Sequence, residues 1–287
     1  MMKLEIKAFG NEKGAGVLEL LVSFLLGLIL LASALVSYFE SSYRAFDLQL
    51  VSQTRERAKG VLDMMAFELR MMGAGMPLGQ SNFQISGTGL GTAPLPILTS
   101  ASATSVTFRR NEKGVSTVLT ADYLPAAATL TMTVASAADF AVGDTVYVSD
   151  ISVGGTGGLR GTVTGKSSTT ITISSSYIAT PATTFKQGSL VERVSSITYD
   201  NIAGGGISRD SGGGAITVAP KVSYSLKYYD SAGTELTVPM TEATIRDSLS
   251  AVDVTVTADS LKKKKDGTIY TAQLQQRVGL RNLYLSR

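Results

Sequence analysis

Hydrophobic and polar positions divide the chain into three patterns. From Ala15 to Phe39 the sequence AGVLELLVSFLLGLILLASALVSYF is apolar all round a helix, and Glu19 is its single charge. Leu20–Phe39 contributes twenty uncharged residues between Glu19 and Glu40. At about 1.5 Å rise per residue these make a helix of about 30 Å, the hydrocarbon thickness of a bilayer. The pattern then becomes one-sided. Leu48, Val51, Arg55, Ala58, Leu62, Met65, Leu69 and Met72 recur at steps of three and four, apolar except for Arg55. Arg57, Lys59, Asp63 and Arg70 fall elsewhere on the circumference. No proline precedes Pro77, and Gly73-Ala74-Gly75-Met76-Pro77 supplies a stop. The spacing predicts one helix from Ala15 to Met72, about 87 Å long, whose first half (15–39) is long and apolar enough to lie in a membrane. Its second half (40–72) packs on a globular head. Gly60 weakens that helix by ~1 kcal/mol relative to alanine.

Beyond Pro77 the third pattern consists of short runs of Thr, Ser, Val and Ile broken by glycine clusters. Ser105–Arg109, Leu130–Ala135, Thr145–Ser149, Thr169–Ser174, Leu190–Tyr199, Val222–Tyr229 and Ala251–Ala258 read as strands. In the last, Val252, Val254 and Val256 alternate with Asp253, Thr255 and Thr257. Turn clusters stand at Gly154–Gly158, Gly204–Gly206 and Gly212–Gly214. The segment 125–188 has its own rhythm of four short strands and tight turns, a compact barrel-like insertion. The expectation is an α+β protein: a leader (1–14), a long helix (15–75), and a mainly antiparallel all-β head (76–287) that carries a small inserted β subdomain.

Composition narrows the chemistry. With 26 Lys+Arg against 23 Asp+Glu the net charge is +3, short of the dense cationic surface of a nucleic-acid binder. Hydrophobic residues make up 44% and charged ones 17%, which argues against disorder. Histidine and cysteine are both absent, removing Ser–His and Cys–His nucleophiles, disulfides and Cys/His zinc sites. Most familiar hydrolytic chemistry is thereby excluded, and no cofactor is expected.

Three readings compete for the N-terminus. A secretory signal has a shorter apolar region closed by a small-residue cleavage site, whereas this one runs on into a helix. A plain anchor fits the length but gives no reason for Glu19, whose carboxylate costs about 3 kcal/mol in lipid. The third reading explains it. Lys13-Gly14-Ala15-Gly16-Val17-Leu18-Glu19-Leu20-Leu21 resembles the class III signal of type IV pilin-like proteins, with a basic leader ending in glycine and a glutamate at the fifth mature position. Cleavage after Gly14 makes Ala15 the first mature residue and Glu19 the fifth; cleavage after Gly16 would make Glu19 the third. Ala15 stands where the family usually has a methylated Phe, and Val36 where major pilins commonly carry a kinking proline. Both departures point away from an abundant major pilin.

Other segments are similar to PilW-type minor pilins: the helix end Gly60–Gly73, the Phe140–Asp150 hairpin, Gly188–Tyr199, and the closing Tyr270–Leu283. The resemblance implies a structural subunit of type IV pilus assembly, acting in priming or at the tip. A prepilin peptidase would cut between Gly14 and Ala15 and N-methylate Ala15. Glu19 would meet a neighbouring subunit's N-terminal amine, and the partners would be other pilins and minor pilins. The leader would be cytoplasmic, the helix in the inner membrane and the head periplasmic before assembly, with the pilus filament or tip as destination. A J-type pseudopilin of a type II secretion system, or a membrane-anchored adhesin or binding module, remains the alternative.

Other motifs point to bland roles. Gly161-Thr162-Val163-Thr164-Gly165-Lys166-Ser167 falls short of a phosphate-binding loop because Arg160 holds the place of its first glycine and the flanks read as strands. It is read as a hairpin turn. Asp139, Asp144 and Asp150 crowd one region without a calcium-loop pattern and are read as turn formers. Lys262, Lys263, Lys264 and Lys265 precede Asp266-Gly267 at an exposed hairpin tip. They read as a solvated loop that discourages edge pairing and, as the weaker reading, as contacts for DNA phosphates or acidic polymers. No aromatic interleaving supports base stacking, and nucleic acid is not an expected partner.

Overall fold

A computed structural model of the chain describes residues 12–76, 97–125, 129–149, 158–174, 184–240, 244 and 248–280. Most of the leader, Pro77, Gly154–Gly157, Asp150 and the tail after Leu280 lie outside the described residues. The first element, α1 (Glu12–Arg70), is one uninterrupted helix of 59 residues, about 88 Å long. It ends two residues before the predicted Met72, within the ordinary uncertainty of a fraying last turn. Gly73 takes φ +80° and its amide donates to Arg109 O at 2.8 Å, while a Cβ there would lie 2.7 Å from Ile97 Cδ1. Only glycine fits a site that both stops the helix and seats it on the sheet.

The strands are β1 (Leu98–Ala101), β2 (Ser105–Arg110), β3 (Ser116–Val118), β4 (Thr129–Thr133), β5 (Thr145–Ser149), β6 (Gly158–Lys166), β7 (Thr170–Ser174), β8 (Leu190–Arg193), β9 (Ser195–Asn201), β10 (Gly206–Asp210), β11 (Ile216–Pro220), β12 (Val222–Asp230), β13 (Glu235–Leu236), β14 (Leu249–Asp259) and β15 (Thr271–Gly279). They form three antiparallel sheets of orders β1-β2-β9-β10-β11, β13-β12-β14-β15 and β3-β8-β5-β6-β7-β4. The fold is α+β, a long apolar helix with a mostly antiparallel head.

The helix and the first two sheets share one core. α1 lies across β14 and β15. The alternation read in β14 places Val252, Val254 and Val256 inward, beside Val222, Tyr224, Leu226 and Tyr228 of β12. The helix contributes Ala58, Val61, Leu62, Met65, Ala66, Leu69 and Met72. The predicted stripe is corrected at its upper end. Leu48 is 70% exposed, and Leu50 and Thr54 are buried instead. Arg55 escapes the core by donating from Nε to Tyr270 Oη at 3.0 Å. The two sheets are joined by polar contacts: Tyr224 Oη donates to Tyr199 O at 2.6 Å, and the Asn201 amide pairs with both backbone groups of Tyr224.

The third sheet has a core of its own, including Leu130, Met132, Phe140, Val146, Val148, Ile171, Ile173 and Val191. Its outer strands meet: Ala135 N donates to Val118 O at 3.0 Å, Thr120 N to Thr133 O at 3.0 Å, and Leu119 bridges Val134. The six strands thus close into a small barrel. The chain leaves the five-stranded sheet at Arg110 and returns at Ser195, and these two residues pair across β2 and β9. The barrel therefore interrupts a hairpin, and its strands run from Ser116 to Arg193, wider at both ends than 125–188. Leu190–Tyr199 is corrected from one strand to two, because β8 belongs to the barrel and β9 to the main head, with Val194 between them.

Candidate functional site

The N-terminal third of α1 presents a surface that nothing among the described residues covers. The large apolar side chains from Val17 to Phe39 are all exposed, Leu30 at 68% and Phe24 at 64%. Among the described residues one helix is long and apolar enough to cross a membrane, and they bury no residue of its apolar window. A helix apolar on all sides is stable only in lipid or among other helices. Gly14 and Ala15 lie within α1, and Glu19 follows one turn after Ala15. Glu19 is exposed, with no hydrogen bond or ion pair among the described residues.

Where the apolar surface ends, the head begins. Tyr43 and Phe46, the latter beside a groove of about 660 Å³ against Leu261 and Lys262, face the turn between β14 and β15. That turn holds the four lysines, of which Lys262, Lys263 and Lys265 are exposed, and two of them also lie over aromatic rings of the helix. Lys262 Nζ stands 5.9 Å from the Phe46 ring centroid and Lys265 Nζ 5.0 Å from that of Tyr43. Lys265 N donates to Asp47 Oδ1 at 3.2 Å, and Lys264 Nζ pairs with Asp266 at 3.3 Å.

At the other end of the packed helix lies an ionic cluster that sequence reasoning missed. Glu68 sits in the last turn of α1, 7% exposed. Arg110 Nη2 donates to its Oε1 at 2.9 Å; Arg209 grips it with Nη2 at 3.0 Å and Nε at 3.2 Å, and Tyr199 Oη donates at 2.7 Å. Arg209 also pairs with Glu112. Burial works against the Arg209 charge, but the hydrogen bonds it donates to Glu68 and Glu112 outweigh it and raise its pKa above the guanidinium norm. Burial, and then the Glu68 charge, raises the Tyr199 phenol likewise. No sequence signal isolates Glu68, since its partners are 42 to 141 residues away.

The remaining candidates are structural. Gly161 faces Ile173, whose Cδ1 would lie 2.5 Å from a Cβ there, so this glycine serves barrel packing. Gly161–Ser167 spans the end of β6 and its turn, where Ser167 Oγ accepts from the Thr170 amide at 3.1 Å. Asp144 accepts from the Ala141 amide at 2.7 Å and from Arg193 at 3.2 Å. Among the described residues no group of three acidic side chains comes together to hold a metal ion. Compared with known proteins, the chain matches no family model, no curated protein and no solved structure.

Proposed function

We propose that the chain is a pilin-like subunit, a PilW-like minor pilin, that is cut between Gly14 and Ala15 and assembles through its N-terminal helix. The observation carrying this reading is the uncovered apolar surface from Val17 to Phe39, interrupted only by Glu19 and continuous with a helix packed into the head. Such a helix can exchange lipid for neighbouring helices without refolding the head, because the core residues begin at Leu50. Within a helical bundle Glu19 would pair with the freed Ala15 amine of the next subunit. Leaving either charge alone in an apolar medium costs more than any gain from the pair, so the pair sets register between subunits. The subunit is structural, without enzymatic activity. Its partners are the prepilin peptidase and other pilins, and its route runs from inner membrane to filament or tip.

Intact mass measurement of the protein recovered from its native membranes tests the cleavage. The expected mature chain lacks the fourteen residues Met1–Gly14, and a bulky residue in place of Gly14 abolishes processing. A mature chain that begins anywhere but at Ala15 overturns the reading.

Glu19→Val tests assembly. The substitution removes a charge worth about 3 kcal/mol against lipid and leaves insertion intact. Fractionation and filament shearing are expected to diverge, with full membrane content and at least a tenfold loss from sheared fibres. Normal incorporation would reduce α1 to a tether.

A further inference from the structure

The turn between β14 and β15 is the chain's most concentrated positive charge, four consecutive lysines with Asp266 the one carboxylate inside the turn. The contacts to Tyr43, Phe46 and Asp47 hold it against α1, so the tilt of α1 and the head decides how closely it approaches a bilayer. These helix residues lie four to eight positions past Phe39, the last residue of the apolar stretch. Along the helix axis that is about 6 to 12 Å. The polar layer on each side of a ~30 Å hydrocarbon core is about 5–8 Å thick. With Phe39 at the hydrocarbon boundary, the turn starts at the outer edge of the headgroup layer, and a modest tilt of α1 brings the lysine side chains within reach of the headgroups.

The neighbours of the lysines have the matching character. Leu261 and Ile269 flank the turn with side chains 65% and 50% exposed. Tyr38, Phe39, Tyr43 and Phe46 are also exposed and form an aromatic collar at the same level. Lys263 is exposed and has no partner among the described residues. Cations interleaved with exposed apolar and aromatic side chains are the make-up of a segment that binds an anionic lipid surface. An acidic soluble polymer would explain the lysines but not Leu261, Ile269 and the collar beside the span.

We infer that the Lys262–Lys265 turn binds the phosphate headgroups of anionic lipids beside the point where α1 leaves the bilayer, seating the head on the membrane. The inference rests on α1 spanning the membrane. Incorporation into a filament then has to release this contact.

The chain contains no cysteine, so Ile269→Cys can carry a single fluorophore on the full-length protein. The protein is reconstituted in nanodiscs of phosphatidylcholine alone or with about 30% phosphatidylglycerol, each holding a headgroup spin-labelled quencher. Quenching is expected to be at least about fivefold stronger with phosphatidylglycerol, the factor one lysine contributes near an anionic surface. It is expected to fall to the phosphatidylcholine level in about 1 M salt, and when all four lysines are changed to glutamine. Equal quenching in both discs, or its persistence in the glutamine variant, overturns the inference. So does displacement by a short DNA duplex at matched phosphate, which would assign the turn to soluble polyanions. Flotation with the discs is scored separately: a chain that fails to float overturns the membrane span itself.

Discussion

Glu68→Ala is expected to destabilise the head by about 3–5 kcal/mol, the cost of leaving buried cations without their counter-charge. For a domain of this size that lowers the thermal midpoint by on the order of 10 °C. A carboxylate in the last turn of a helix faces the negative end of the helix dipole, so its position is unfavourable unless cations are brought to it. Here Arg110 and Arg209 are brought from two strands of the five-stranded sheet, with side chains 10% and 12% exposed. After the substitution Arg209 keeps Glu112, whereas Arg110 loses its ion pair. The penalty is therefore one of orphaned charge. Glu68→Met combined with Arg110→Met and Arg209→Met should recover most of the midpoint, since apolar replacement of a buried ionic group is often neutral. Thermal unfolding of the detergent-solubilised full chain, followed by circular dichroism, measures both. A shift of only 1–2 °C for Glu68→Ala would mean that water reaches the cluster.

The fold was legible wherever burial is periodic along the chain. The run from Ala15 to Met72 announces a helix because one side of it must be apolar in the head and every side apolar in lipid. The alternation of Val252, Val254 and Val256 announces β14 because one face enters the core, while the other carries Thr255 and Thr257 half-buried and Asp253 held by Arg277. Thr145–Ser149 was bounded correctly for the same reason, although its inward set divides: Val146 and Val148 enter the barrel core while Tyr147 crosses to the main one. Elements without such periodicity were missed. β3 has three residues and β13 two, too short to show a pattern; β10 ends in a half-buried polar run, and β11 is an edge strand with Ile216 exposed and only Ala219 buried. The break at Val194 was invisible because both sheets ask for the same alternation and only topology assigns β8 and β9 to different ones. At the candidate sites the local signals, Gly14, Ala15, Glu19 and the lysine run, could be read from the chain. The Glu68 cluster and the docking of the lysines on Tyr43 and Phe46 could not, because they join residues from distant segments whose meeting depends on the completed fold.

A chain beginning at Tyr43 should be soluble, β-rich and cooperative in unfolding, whereas one beginning at Gly75 should aggregate. The described side chains that the first loses, Gly16 to Ser42, are all exposed, and it keeps the buried line from Leu50 to Met72, the Arg55–Tyr270 bond and the Glu68 cluster. The second strips Val61, Leu62, Met65, Leu69 and Met72 from the shared core. At about 1.5–3 kcal/mol for each of these five side chains the loss is at most roughly 15 kcal/mol, comparable to the whole stability of a domain. It also uncovers the valine face of β14 and leaves Arg110 without its carboxylate, and an apolar sheet face of that kind associates. The barrel answers differently, because its core includes no residue of α1. Limited proteolysis of the shorter chain should therefore leave a protected fragment around Ser116–Arg193 while the β12–β15 region is digested. If both chains unfold with equal cooperativity, the helix does not hold the head together. If the barrel is digested along with the rest, its closure through Val118 and Ala135 is too weak to stand without the head.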